Sequence, residues 1–219
     1  MIIYNHHHVL AMLKQFLPDN PIIVEAGAFD GTDTRKMATQ WPHSIIHSFE
    51  PVPEIYEQLV KNTQQLTNVY RYPFALSNKN DNQLFYVSEH PKTPGVASQA
   101  GSLHKPKERL TASPLIFPRT TTVQTITLPT WTAEHNINHI DLLWLDTQGH
   151  ELAILQSAQP ILNNIRVVLA EISFIESYEK QPSMSELIMF MQQHGFEHVA
   201  CDFEDTTKNF FGNVLFVRK

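Results

Sequence analysis

Ile22-Ile23-Val24-Glu25-Ala26-Gly27-Ala28-Phe29-Asp30-Gly31 sets the fold of the chain around it. Ile22, Ile23 and Val24 are β-branched and apolar, the pattern of a short buried strand. The strand ends at Glu25. Gly27 and Gly31, four positions apart, then break the chain before Thr32, Asp33 and Thr34 open a helix. A strand running through a glycine turn into a helix lets a ligand approach bare backbone and its N–H groups. The spacing is acid-x-Gly-x-x-x-Gly, which differs from the Gly-x-Gly-x-x-Gly of dinucleotide sites. An ordinary β-α turn carries similar residues, so the rest of the chain has to supply the weight.

Downstream, a helix over Asp33 to Gln40 stops at Trp41-Pro42, and Ser44 to Pro51 reads as a second strand ending in Glu50. In α/β nucleotide folds an acid at this place accepts hydrogen bonds from both ribose hydroxyls, two oxygens matching two adjacent donors. Pro53 to Leu66 is an amphipathic helix and Asn68 to Ser77 a third strand. Three β-α units in succession predict a parallel, doubly wound sheet. Ile140 to Asp146 is a fourth core strand with an acid at its end, followed by Thr147-Gln148-Gly149-His150-Glu151 and a helix carrying Leu152, Ile154, Leu155 and Ala158. Arg166 to Ile172 is a fifth strand containing Glu171. Ser183 and Glu186 have the spacing of a capping box. Glu197 to Phe203 and Asn213 to Val217 close the chain as an antiparallel pair, giving a mixed sheet edge.

Between the third and fourth strands, Leu84 to Val87 forms an extra strand, and residues 88–118 then lose all periodicity among repeated prolines. A segment this long is a lid, an acceptor-binding loop or a solvated connector. Its Lys92, Lys105, Lys107 and Arg109 give a local basic excess. At the other end, Val9 to Leu17 recur at helical spacing within an N-terminal helix assigned to residues 1–20. His6, His7 and His8 stand in a row and cannot all face one point on a helix, so they read as its exposed start and not as metal ligands.

The chain has 219 residues, 42% of them hydrophobic and 17% charged, which suits a single domain spanning 1–219. A net charge of -6 argues against a general nucleic-acid binder. Cys201 is the only cysteine, which excludes an internal disulfide and a cysteine zinc site. The N-terminus lacks a secretory pattern and no stretch is long and apolar enough to span a membrane, so a soluble cytoplasmic protein is expected.

Taken together, Glu25-Ala-Gly-Ala-Phe-Asp-Gly31, Phe49-Glu50-Pro51, Ala75-Leu76-Ser77, Thr127-Leu128, Leu145-Asp146-Thr-Gln-Gly149-His-Glu151, Leu155-Gln-Ser-Ala158 and Ala170-Glu171 resemble the FkbM-type S-adenosylmethionine (SAM) methyltransferases. The resemblance covers roughly residues 20–217. It implies an α/β, Rossmann-like class I methyltransferase fold: a seven-stranded, mostly parallel sheet with helices on both faces and an antiparallel last strand inserted beside the fifth. It also implies methyl transfer to hydroxyl oxygens of sugars, glycolipids or natural products. Glu25 stands where the family more often has Asp, Trp144 where a Lys is frequent, and Gln148 where a Glu is frequent. The last two lie near the expected acceptor site.

On this reading Gly27, Ala28 and Gly31 give backbone access to SAM, and Glu25 and Asp30 supply nearby acceptors. Glu50, followed by Pro51, holds the ribose, Ala75 and Leu76 flank the adenine, and Asp146 faces the crevice at the carboxyl end of the fourth strand. Methyl transfer to an alcohol needs positioning and a base for the hydroxyl proton. His150 is the first candidate because it titrates near neutrality, with Glu171 and Asp146 next. The same three residues could hold a divalent cation, but no metal site is predicted. The expected partner is a small-molecule or carbohydrate acceptor. Nucleic acid is not expected, and no Asn-Pro-Pro-Tyr-like motif occurs. Rival readings are an NAD-dependent oxidoreductase and a non-catalytic SAM-fold scaffold.

Overall fold

A computed structural model describes residues 2–5, 8–207 and 210–219. In chain order the first half contains β1 (Ile2–Ile3), α1 (Val9–Leu13), β2 (Ile22–Ala26), α2 (Thr32–Gln40), β3 (Ile45–Phe49), α3 (Pro53–Thr63), β4 (Val69–Tyr72), β5 (Ala75–Ser77) and β6 (Asp81–Glu89). The second half contains α4 (Arg109–Ala112), β7 (Ile116–Thr127), α5 (Leu128–Glu134), β8 (Ile140–Leu145), α6 (Glu151–Ser157), β9 (Ile165–Ser173), α7 (Met184–Gln193), β10 (Phe196–Cys201) and β11 (Phe211–Arg218).

The main sheet has the order β1-β10-β11-β9-β8-β2-β3-β4. Strands β9, β8, β2, β3 and β4 run parallel, and β11 lies antiparallel between β9 and β10. This is the class I methyltransferase arrangement with one strand more than the sequence predicts. The addition is β1, whose Ile2 and Ile3 pair in parallel with Ala200 and Cys201 and cover the edge that the closing hairpin leaves open. The expected N-terminal helix is correspondingly short, Val9–Leu13, and gives way to tighter turns before Pro18. His6 and His7 lie outside the described residues.

Central strands are apolar on both sides because helices cover both faces. Val24, Leu143, Leu145, Val168 and Ala170 pack into one core, and Ile23, Leu142, Trp144, Val167 and Leu169 into the other. Period-two alternation therefore places Glu25 on the same face as Ile23 and, across the register, beside Trp144. A second sheet, β5-β7-β6, stands next to the main one. Its Ala75, Phe85, Val87 and Val123 pack on Val52 and Ile55 at the start of α3.

The long connection between β6 and β7 is tied down along its length. Ser98 N–H donates to the Ser88 carbonyl (2.7 Å), Lys107 N–H to Ser177 (2.8 Å), and Glu179 N–H to Lys105 (2.8 Å). Among the described residues no helix is long and apolar enough to cross a membrane.

Candidate active site

Sheet order reverses between β2 and β8, and ligands bind at the carboxyl ends of strands at such a point. Gly27 follows β2 and Asp146 follows β8. At Gly27 the backbone has φ 87°, and a Cβ there would lie 1.9 Å from the Asp146 carbonyl oxygen. Only glycine fits. The turn's N–H groups are used inside the protein: Gly27 and Ala28 donate to Phe49 (3.1 and 2.9 Å) and Gly31 to Ala28 (2.9 Å). The turn thus presents a slim backbone to the cavity, with those donors already engaged. Gly31 itself caps α2 at φ 82°, closely packed against Leu59 and Thr63, and lines neither cavity described below.

A first cavity, about 610 Å³ with its mouth included, is mostly apolar and holds Gly27, Glu50, Pro51, Ala75, Leu76, Asp146 and His150 among its walls. Val52, Ile55, Phe85 and Val87 supply its apolar side, while Gln99, Gly101 and Leu103 of the long connection close over it. Glu50 is buried here. Its Oε2 accepts the Phe29 N–H (3.1 Å) and its Oε1 the Val52 N–H (2.9 Å). A carboxylate has about four lone-pair directions, so two remain for a ligand. Burial pushes its pKa up to about 8 against the pull of those two N–H groups.

A second cavity, about 1200 Å³ including open space, shares Gly27, Phe29, Gln99, Asp146 and Gln148 with the first. Its walls are polar and acidic: Glu25, Asp30, Asp33 and Glu171, with Lys36 and Arg109, the aromatic Trp144 and Phe211, and Ala28. Glu25 Oε2 accepts the Thr34 hydroxyl (2.5 Å) and the Ser48 hydroxyl (2.7 Å), and burial raises its pKa to about 7. Asp30 accepts from Thr32 N–H (3.0 Å), starting α2. Asp146 and Glu171 are half-buried, and both carboxyls are pushed up, first by desolvation. Glu171 is raised further by the charges of Asp146 and Glu151, and Arg109 pulls both down.

His150 lies away from this second cavity. Its Nε2 meets the Ser77 hydroxyl and its Nδ1 the Nε2 of His104, both at 2.9 Å. Burial and the neighbouring His104 push its pKa down to about 3. The sequence groups His150, Asp146 and Glu171 as possible ligands of one cation; the structure puts His150 and Asp146 on the first cavity and Asp146 and Glu171 on the second, so His150 and Glu171 line no common cavity. Among the described residues no cluster of three or more His, Cys, Asp or Glu is arranged to hold a metal ion. Glu151 is structural: it accepts N–H groups from Thr147 (2.8 Å) and Gly149 (3.1 Å) and rigidifies the turn.

Sequence reasoning did not single out His104, Phe29, Gln99 or Phe211. Phe29 and Gln99 line both cavities, Phe211 lines the second, and His104 touches the site through His150, contacts that no periodicity reveals. Gln148 was seen only as a substitution, yet it sits at φ 54° and links three side chains. A left-handed non-glycine residue costs on the order of 1–3 kcal/mol and concentrates at functional sites.

Comparisons with known proteins bear on this geometry. A family model described as the methyltransferase FkbM domain matches residues 25–198. The 2-O-methyltransferase NoeI of Sinorhizobium fredii (strain NBRC 101917 / NGR234) is 28% identical over 196 residues, covering 89% of this chain and 79% of that protein. Among solved structures, the fibrillarin/Nop5p complex matches with a TM-score of 0.57 at 12% identity, over 97% of this chain and 81% of that one. Magnesium protoporphyrin IX methyltransferase ChlM of Synechocystis PCC 6803, with bound SAM, gives 0.55 at 10% identity, over 97% and 77%. An rRNA methylase of Streptococcus thermophilus gives 0.55 at 12%, over 100% and 98%.

Proposed function

The chain belongs to the FkbM methyltransferase family and is a SAM-dependent methyltransferase; from that premise we propose that it methylates a hydroxyl oxygen on a carbohydrate or other small hydroxylated acceptor. The observation that carries this reading is the Asp146–Glu171 pair, joined through Gln148 and lining the second cavity, where Asp146 and Gly27 border both cavities. The name of the Sinorhizobium relative, a 2-O-methyltransferase, supports oxygen as the accepting atom.

The residues present suit SAM. The apolar first cavity matches an adenine, and the two unused lone pairs on Glu50 match a ribose diol. Acidic Glu25, Asp30 and Asp33 line the second cavity and complement a cationic amino-acid end. When bound, SAM supplies an electrophilic methyl group on a positively charged sulfur. The protein's part is to align the acceptor hydroxyl and to take its proton. As the acceptor oxygen gains the methyl carbon it loses a proton, and the ionised member of the Asp146–Glu171 pair receives it. His150 is assigned to the other cavity, where it fixes Ser77 and His104 around the adenosine. The connection between β6 and β7, which contributes Gln99 and Arg109, forms the acceptor-facing wall.

The test is a panel of mono- and oligosaccharides and other hydroxylated compounds incubated with the protein and SAM, reading S-adenosylhomocysteine (SAH) formation and locating the new methyl by NMR. Transfer to oxygen, lost in Glu171→Gln, supports the assignment. Methylation at nitrogen or carbon, or full turnover in Glu171→Gln, overturns it.

A further inference from the structure

Gln148 joins two carboxyl groups that come from different strands. Its Nε2 donates to Asp146 Oδ1 at 2.7 Å and to Glu171 Oε2 at 2.6 Å. An amide nitrogen carries two hydrogens, so each carboxyl takes one. Its Oε1 accepts from the Tyr178 hydroxyl at 3.0 Å, and its main-chain carbonyl accepts from the Ser102 hydroxyl at 2.7 Å. Turning the amide over would set its oxygen against two carboxyl oxygens, so the orientation is fixed by chemistry as well as by packing. The residue is itself buried, in a left-handed turn.

We propose that Gln148 is a positioning residue that holds Asp146 and Glu171 as a pair sharing one proton and one negative charge. Two half-buried carboxyls held against one amide nitrogen repel each other once both are charged, which raises the second ionisation. The amide gives either oxygen a donor and adds no charge of its own, so the single charge is stabilised wherever it resides. Facing charges divide: Arg109 on α4 favours ionisation of both, while Asp33 on α2 and Glu25 on β2 oppose it at Asp146, and Glu151 on α6 at Glu171. Tyr178 presents a neutral hydroxyl, held that way by burial. A pair with one charge takes up one proton from a hydroxyl and returns it to solvent; a fully protonated pair cannot. The role in proton transfer rests on the methyl-transfer reading above, whereas the state of the pair does not.

The experiment is a pH titration of the intact protein with 13C-labelled Asp and Glu carboxyls, followed by NMR, for wild type, Glu171→Gln, Gln148→Glu and Gln148→Met. Methionine keeps the side-chain length and serves if the glutamate variant does not fold. Wild type should retain one carboxyl proton in the pair at pH 7. Gln148→Glu should retain one more, and Gln148→Met should move the midpoint of proton release up by about one pH unit or more. Glu171→Gln should abolish the shared-proton signal. Unchanged midpoints in both Gln148 variants, or a wild-type pair already doubly ionised at pH 7, would overturn the proposal. SAH binding by calorimetry on the same samples separates the two readings: no binding by wild type refutes the methyl-transfer site and leaves the titration result standing.

Discussion

Glu50→Gln probes the nucleoside end of the site with little steric change. Both carboxylate oxygens already accept a backbone N–H, from Phe29 at 3.1 Å and Val52 at 2.9 Å. Alanine would release both, whereas glutamine keeps one acceptor, sets its NH2 against the other N–H, and loses one charge-assisted bond to the ribose. That loss is about 1.5–3 kcal/mol, or roughly 10- to 150-fold in affinity. A second signature comes from protonation. With the Glu50 pKa raised to about 8 by burial, only about a tenth of the empty sites are ionised at pH 7. Wild-type affinity for a ribose-bearing ligand should therefore rise about tenfold between pH 7 and pH 9, and the variant should show no such rise. 5′-Methylthioadenosine carries the adenine and ribose but no amino-acid group to titrate in that range. Calorimetry with this compound at pH 7, 8 and 9 is the assay. A flat wild-type profile, or a variant with wild-type affinity, refutes the ribose assignment.

Gly27→Ala should destabilise the fold by about 2–5 kcal/mol, since the new Cβ meets the Asp146 carbonyl at 1.9 Å on a left-handed backbone; an unchanged thermal midpoint would contradict the packing argument. His150→Ala should weaken SAH binding by loosening Ser77 and His104, and turnover loss with intact SAH affinity would return His150 to the role of base. Stability of the ligand-free protein should fall as pH rises from 6.5 to 8. Burial raises Glu25 and Glu151 to about 7 and Glu50 to about 8. A raised acid holds its proton in the native state after the unfolded chain has lost it, so stability declines across that window, by about 2–3 kcal/mol. Buried His47 and His150, pushed down to about 4 and about 3, act below pH 6.5 in the opposite sense, their contribution being lost as pH falls. Three raised acids outweigh two lowered histidines between pH 5 and 6.5, so urea titrations should show stability declining from pH 5 to pH 8, most steeply above pH 6, and a rise toward pH 8 would refute this.

What the sequence makes legible is local. Apolar runs ended by acids locate β2, β3, β8 and β9, and the glycine spacing locates the turn. The three-residue β5 and the half-exposed β7 carry too weak a pattern to announce a second sheet, and β1 exists only because β10 offers an open edge. Strand and spacing alone point to Glu50, which lines the first cavity. Asp146 and Glu171 are legible as acids at the ends of core strands, but their partner is not. Gln148 acts through a backbone conformation and a contact with a residue 23 positions away, neither of which leaves a period in the sequence. His150 is legible as the residue that follows the fourth-strand turn, but its contacts with Ser77 and His104 are not, because they come from segments distant in sequence. The acceptor lies further from reach, because a fold shared with an rRNA methylase and a porphyrin methyltransferase does not select a substrate.

The most direct test of the central claim is calorimetric titration of the purified protein with SAM, SAH and NADH. Micromolar binding of SAM and SAH, with none of NADH, is the result expected from Glu50, Gly27 and the acidic second cavity. Binding of NADH alone, or of none of the three, would contradict it.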